Sequence, residues 1–392
     1  MRTIRANVPG SGFHEIDIND STIVRSEVVG SERKDSLYCW SGFVDIQVNG
    51  FAGVDFGGNE SRPECIVKVL EPLFATGVTS FFPTLITNDI ETLARQLRCL
   101  EKTREQFPLF ARAVPGYHLE GPWLSPGPSH GAHDPEFMRF PEWDDLEHLQ
   151  EAANGRIRLI TIAPELPGAL AVVRRAKNQG IAVAIGHTDG TADDVYRAAA
   201  AGAMLSTHLG NGCAQMLDRH TAPFWAQLAD DRLMASIICD KFHVAPEVIK
   251  IIARVKGLSN CILVTDAMQA ATMPPGRYTI ATTSAELLPT GQVVRQDRKS
   301  MAGSALTMDR AVANFRQATG CTLAEALCAA TTNPRTALGC RAPAAGIAPG
   351  QPADLILFEA DEDSVRVCET ILDGKNVWKK MEPCFELGVG RC

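Results

Sequence analysis

Several things are scarce in this chain, and each scarcity removes a class of protein. Basic residues do not predominate: 38 Lys and Arg face 46 Asp and Glu, a formal net charge of −8. A nucleic-acid backbone selects a basic face, so DNA and RNA are poor partners. A small anionic substrate stays possible, because one or two local cations suffice for it. Apolar runs are broken by Gly, Pro or charge before they could span a bilayer, so no membrane partner is expected. The N-terminal MRTIRANVPGSGFHEIDIND has no apolar stretch that reads as a secretory leader, which points to the cytoplasm. No CxxC pair occurs. The twelve cysteines are scattered singly, several in apolar segments such as SIICD and NCILVTD, and read as buried reduced thiols. There are no low-complexity tracts and no repeat period.

What the chain does have is alternation. From Gly42 onward, apolar runs end in polar or Gly-rich tips and lead into helix-like stretches. The runs are FVDIQVNG, GVTSFFPTL, AVPGYHLEG, RIRLITIAPE, IAVAIGHTDG, AMLSTHLGN, LMASIICDKFH and CILVTDAM. Near-continuous Val- and Ile-rich runs are what strands buried on both faces require. Segments such as PECIVKVLEPLFATG, GALAVVRRAKNQG and TADDVYRAAAAG supply helices, several stopping at Gly. Eight such units predict an α/β fold, a parallel (β/α)8 TIM barrel over residues 42–344. An open doubly wound sheet is the competing arrangement. The barrel is preferred because Gln47 and Asn49, Glu120, His187, His208, Asp240 with His243, and Asp266 all follow apolar runs, and barrel enzymes build their sites at strand C-termini. The ends, residues 1–41 and 345–392, read as short antiparallel strands and predict a small β-sandwich domain made from both termini, with a meagre N-terminal share.

With only nine histidines, their placement carries weight. His187 and His208 end successive strands, and Glu120 ends an earlier one. Two imidazoles and a carboxylate suit a divalent metal with open positions for water and substrate. Any one of these residues alone reads better as a satisfied core group or a helix cap; three aligned strand ends favour the metal. Such a site needs a proton carrier, and Asp266, ending the last strand, is placed for it. His118, two residues before Glu120, points deeper into the barrel and reads as structural. No lysine occurs in RLITIAPE, so a carbamylated-lysine two-metal centre is not supported.

The segments GFVDIQVNGFAGVDF, HLEGPWLSPGPSHGAHDPEFM, GHTDG, STHLGN, VTDAM, GSALTMDRAV, TTNPRTALG and GIAPGQPADLILF resemble, in order and over most of the chain, the N-acetylglucosamine-6-phosphate deacetylase family of the amidohydrolase superfamily. The resemblance implies metal ligation by Glu120, His187 and His208, and general base and acid work by Asp266. It implies substrate contacts from His133, Asn211, Gly212 and His243, and a phosphate contact from Arg219 across a dimer interface. The superfamily's paired histidines after the first strand are replaced here by Gln47-Val48-Asn49. A single metal site is therefore expected, with Gln47 and Asn49 left on the substrate side. Zinc is the expected ion; iron or another divalent metal would also suit nitrogen and oxygen ligands. The segment LGNGCAQMLDRHTAPFW departs from the family's commoner sequence, which leaves the glucosamine or galactosamine configuration open. The expected activity is removal of acetate from an N-acetyl amino-sugar 6-phosphate. The alternatives are another amidohydrolase reaction, or a non-catalytic sugar-phosphate-binding protein.

Overall fold

All eight apolar runs become strands of one parallel sheet in the computed structural model, which describes residues 1–58, 62–296, 298, 300–339 and 347–380. The strands are Phe43–Val48, Val78–Ile86, Tyr117–Glu120, Ile157–Ile162, Ala182–Ile185, Leu205–Ser206, Met234–Ile238 and Cys261–Val264, neighbours in space as in sequence. The ring closes just beyond the ends of its first and last strands. There Asp266 N donates to the Gln47 carbonyl (3.0 Å) and Asn49 N to the Ala267 carbonyl (2.8 Å). This is the (β/α)8 barrel, and the open doubly wound sheet falls away.

Helices fill the outer layer for local reasons. Ala192–Ala201 starts from a capping box, with Thr191 accepting from Asp194 N and the Asp194 carboxylate returning to the Thr191 backbone. It buries Val195, Ala198 and Ala199 at helical spacing and stops at Gly202. Ile90–Gln106 starts on the Asp89 side chain. The segment expected as one helix after Pro63 is broken into Pro63–Ile66, a 3₁₀ turn at Val67–Val69, and Leu70–Ala75.

The two termini meet in a separate sheet of seven strands, in the order Lys375–Lys379, Val365–Leu372, Leu355–Ala360, Tyr38–Ser41, Arg2–Val8, Gly12–Asn19, Thr22–Gly30. All pairings are antiparallel except that of Asn7 with Tyr38. The N-terminal share is not meagre: it supplies four of the seven strands, because its polar alternation is what a sheet with one wet face requires. The sheet is tied to the barrel by Thr370 Oγ1 on the Phe74 carbonyl (2.6 Å) and by Arg112 on Asp354 and Asp373 (both 2.7 Å). The expected boundary at 344/345 and the last twelve residues lie outside the described residues.

One element was not foreseen. Gly276–Ile280, Thr283–Leu287 and Val293–Arg295 form a three-stranded antiparallel sheet inserted after the last barrel strand. It has its own small core of Ile280, Ala285, Leu287 and Val293 against Ile86, Met268 and Ala302, and it stands over the C-terminal mouth of the barrel. The nine described cysteines are all free, and no helix among the described residues is long and apolar enough to cross a membrane.

Candidate metal centre and active site

The site is made where strands stop. Glu120 is the last residue of its strand, and His187, His208 and Asp266 each follow theirs by two positions. These three are not glycine, yet all have positive φ: 50°, 29° and 49°. A side chain in that region costs on the order of 1–3 kcal/mol and persists only where surroundings fix it. They do. Ser236 Oγ accepts from His208 N (2.7 Å), the His187 carbonyl accepts from Ser125 N (3.0 Å), and the Asp266 carbonyl accepts from Ser304 N (2.8 Å). The strained turns bend side chains of separate strands toward one point.

Glu120, His187 and His208 meet there with ligand atoms within 4.8 Å of one another, all buried. Glu120 Oε1 lies 2.8 Å from His208 Nε2 and 3.2 Å from His187 Nε2, and the two Nε2 atoms are 3.2 Å apart. His187 Nδ1 can only donate to the Ser129 carbonyl (2.9 Å), so the neutral ring turns an Nε2 lone pair inward, as a metal-binding histidine does. Burial opposes the charged form of Glu120, but the imidazoles of His187 and His208 packed against it overcome that and hold the carboxyl well below its usual range. Two imidazole nitrogens and an ionised carboxylate fit zinc, iron or a similar divalent cation.

Asp266 stands beside this cluster. Asn49 Nδ2 donates to its Oδ1 (2.7 Å) and Gln47 Nε2 reaches the same oxygen (3.3 Å). Burial, then the charge of Glu120, pushes its carboxyl up to about 6. The pair that replaces the superfamily's histidines thus holds the carboxylate; Asn49 also lines the cavity, while the buried Gln47 does not. Below them Asp45, missed in the sequence, accepts from Thr265 Oγ1 (2.5 Å) and locks the first strand to the last. Burial raises Asp45 to about 7 against the hydrogen bonds from Thr265. His118 is structural as expected. Its Nε2 pairs with Thr161 Oγ1 (2.8 Å) deeper in the barrel, and burial lowers its pKa to about 4.

A cavity of about 580 Å³ opens over the cluster, a size suited to a small-molecule ligand. His133, expected as a substrate contact, is buried at the cluster itself, with Nε2 3.9 Å from Glu120 Oε2. Its Nδ1 accepts from Thr87 N (3.3 Å), so the neutral ring carries its proton on Nε2, facing the site. Adjacent imidazoles are therefore set to opposite tasks, His187 as acceptor and His133 as donor. His243 lines the cavity and is backed by Asp240 (2.6 Å). Asn211 and Gly212 also line it, and Gly212 is required: at φ 55° a Cβ there would stand 2.7 Å from His187 Nδ1. Arg219 is not brought to the cavity of its own chain but stands exposed on the loop beyond it. The insert contributes Ile280, Gln292, Val294 and Arg298 to the wall. The alternation in RYTI and SAEL around ATT, and in QVVR after PTG, is the signal that locates it.

A barrel with metal ligands and a carboxylate at its strand ends defines a class, and the chain belongs to the amidohydrolase family, whose model matches residues 41–377. It is a hydrolase acting on amide bonds. Within that family it is 32% identical to the N-acetylgalactosamine-6-phosphate deacetylase of Escherichia coli O157:H7, over 88% of this chain and 91% of that one. It is also 32% identical to the N-acetylglucosamine-6-phosphate deacetylase of Danio rerio, over 86% and 84%. Among solved structures, N-acetyl-D-glucosamine-6-phosphate deacetylase from Mycobacterium smegmatis superposes with a TM-score of 0.86 at 30% identity, covering 96% of this chain and all of that one.

Proposed function

We propose that this enzyme removes the acetyl group from an N-acetyl amino-sugar 6-phosphate, foremost N-acetylglucosamine-6-phosphate, giving acetate and the amino-sugar phosphate. The observation that carries the reading is a buried three-ligand cluster beside a carboxylate held by one oxygen only. Both amides converge on Asp266 Oδ1, and among the described residues no hydrogen bond engages Oδ2.

Glu120, His187 and His208 would hold one divalent ion, which we take to be zinc; when bound it polarises the amide carbonyl and acidifies the attacking water. Asp266 Oδ2 accepts the proton of that water and returns it to the departing amine, so one carboxyl serves as base and then acid. His133 Nε2–H is placed to donate toward developing negative charge on the acetyl oxygen. His243, steadied by Asp240, and the Asn211–Gly212 backbone face the sugar. Burial of the cluster keeps bulk water from competing for the carboxylate.

The same residues support the name carried by the E. coli relative, so N-acetylgalactosamine-6-phosphate is the second reading. We further propose a cytoplasmic homodimer in which Arg219 reaches the neighbour's phosphate. Acetate release over a panel of N-acetyl sugars, each with and without 6-phosphate, tests the assignment. Highest kcat/KM on N-acetylglucosamine-6-phosphate is expected; a lead for the galactosamine isomer selects the second reading, and no release from either phosphate ester overturns both.

A further inference from the structure

The loop that follows Glu120 crosses over the metal cluster, and what holds it down comes from two separate parts of the chain. From the barrel, Asp189 reaches up from two residues beyond His187. Its Oδ2 accepts from Ser125 Oγ (2.8 Å) and from Ser129 N (3.4 Å). Gly127 permits this approach, since a Cβ there would stand 2.4 Å from the same oxygen. Asp189 is set in turn by Glu165, which accepts from Asp189 N (2.9 Å) and from Thr188 Oγ1 (2.6 Å). From the insert, Arg295 Nη1 donates to the Gly131 carbonyl (2.9 Å) and Thr283 Oγ1 to the Ala132 carbonyl (3.0 Å).

Between those anchors lie the groups that touch the cluster. Ser129 O accepts from His187 Nδ1, Gly131 packs where a Cβ would be 3.1 Å from the His187 ring, and His133 follows. The carbonyl of Ser129 is the partner that keeps the His187 proton on Nδ1 and its lone pair on Nε2. A carbonyl cannot be deleted by substitution, and its position is only as good as the loop's anchors.

We propose that Asp189 and Arg295 are positioning residues that pin this loop from opposite sides, so that Ser129 fixes the His187 tautomer and the three-stranded insert is mechanically coupled to the metal centre. The inference rests on His187 being a metal ligand. Partners of this kind, one bond removed from the metal, are worth about 10–100-fold in metal affinity. Losing one anchor leaves the other, so the double variant shows the full effect.

The test uses the full chain and zinc ion in competition with a chromophoric chelator, with ¹⁵N-histidine NMR on the metal-free protein to read tautomers. For Asp189→Ala with Arg295→Met, zinc affinity is expected to fall by about 10–100-fold, with His187 shifting to a mixture of tautomers and little change in Tm. Asp189→Asn, whose amide oxygen still accepts both bonds, is expected to retain most of the affinity. A double variant within twofold of wild type in affinity, with the His187 proton still on Nδ1, overturns the proposal. If that variant is unfolded, Gly127→Ala with Arg295→Lys is read in the same two ways. Failure of the wild-type protein to bind zinc in that assay would instead strike the metal reading itself.

Discussion

The floor and the rim of this cavity are built by different rules. On the floor, Glu120, His187, His208 and Asp266 are nearly inaccessible, sit at strand ends, and are held by hydrogen bonds from neighbouring strands and loops. On the rim, the loop carrying Met216, Leu217 and Arg219 is exposed, with few internal ties beyond the Asp218 turn that caps His220 N and Thr221 N. Residues on the floor bear strain that only a rigid frame can sustain, and in the proposed reaction they carry the chemistry. Residues on the exposed rim bear no such strain, and in the proposed reaction they would help select the sugar phosphate.

The strongest way to break this comparison is on the floor, where two substitutions must separate metal holding from proton transfer. His208→Asn removes a ligand from a three-ligand set and is expected to leave protein without a tightly held ion and without turnover. Asp266→Asn keeps the shape but loses the basic oxygen. Its metal content and substrate affinity should persist while kcat falls by roughly a hundredfold or more. Metal analysis alongside steady-state kinetics checks both. Near-normal turnover in Asp266→Asn would move the proton path elsewhere, with Asp240 behind His243 the next carboxylate to examine.

A smaller effect belongs to the rim. If Arg219 meets the phosphate of a neighbouring protomer, Arg219→Gln should raise KM for the phosphorylated sugar by on the order of tenfold. The KM of the unphosphorylated sugar should hardly move, and kcat should be kept. Sedimentation of the active enzyme gives the second readout. A fully active monomer would remove Arg219 from the site, leaving Arg298 on the cavity wall as the cation to test.

How much of this could be read in the letters follows the same floor-and-rim line. The eight strands were legible because a strand buried on both faces must be nearly all apolar, and the polar residue that ends it is then conspicuous. Glu120, His187, His208 and Asp266 stood out for that reason, and the structure brings all four together. The orientation of the amides was not legible. Replacing paired histidines by Gln47 and Asn49 reads as a loss of ligands, and only the geometry shows both side chains turned onto Asp266. The tautomers of His133 and His187 depend on Thr87 N and the Ser129 carbonyl, backbone groups that no residue type announces. The insert was passed over because its strands are short and half exposed, so their alternation is weak beside the barrel's runs.

The finest prediction turns on one hydrogen bond at the floor. Asn49 Nδ2 donates to Asp266 Oδ1 at 2.7 Å and favours the ionised carboxylate, against burial and the Glu120 charge that together push it up to about 6. As a base Asp266 works only when ionised, so activity should be lost as pH falls through its pKa. A cation held by the neighbouring cluster draws that acid limb lower, but it does so in wild type and variant alike. In Asn49→Leu the donor is gone and the apolar side chain deepens the desolvation. Both changes favour the protonated form, so the acid limb of kcat/KM should move to higher pH, by roughly half a unit to one unit. At pH well above that limb the variant should recover most of its rate, because Gln47 Nε2 still reaches the same oxygen at 3.3 Å. A limb that stays in place, or moves to lower pH, would mean that Asn49 serves the substrate rather than the base. The two replaced positions would then belong to recognition, as the sequence suggested, and not to the floor.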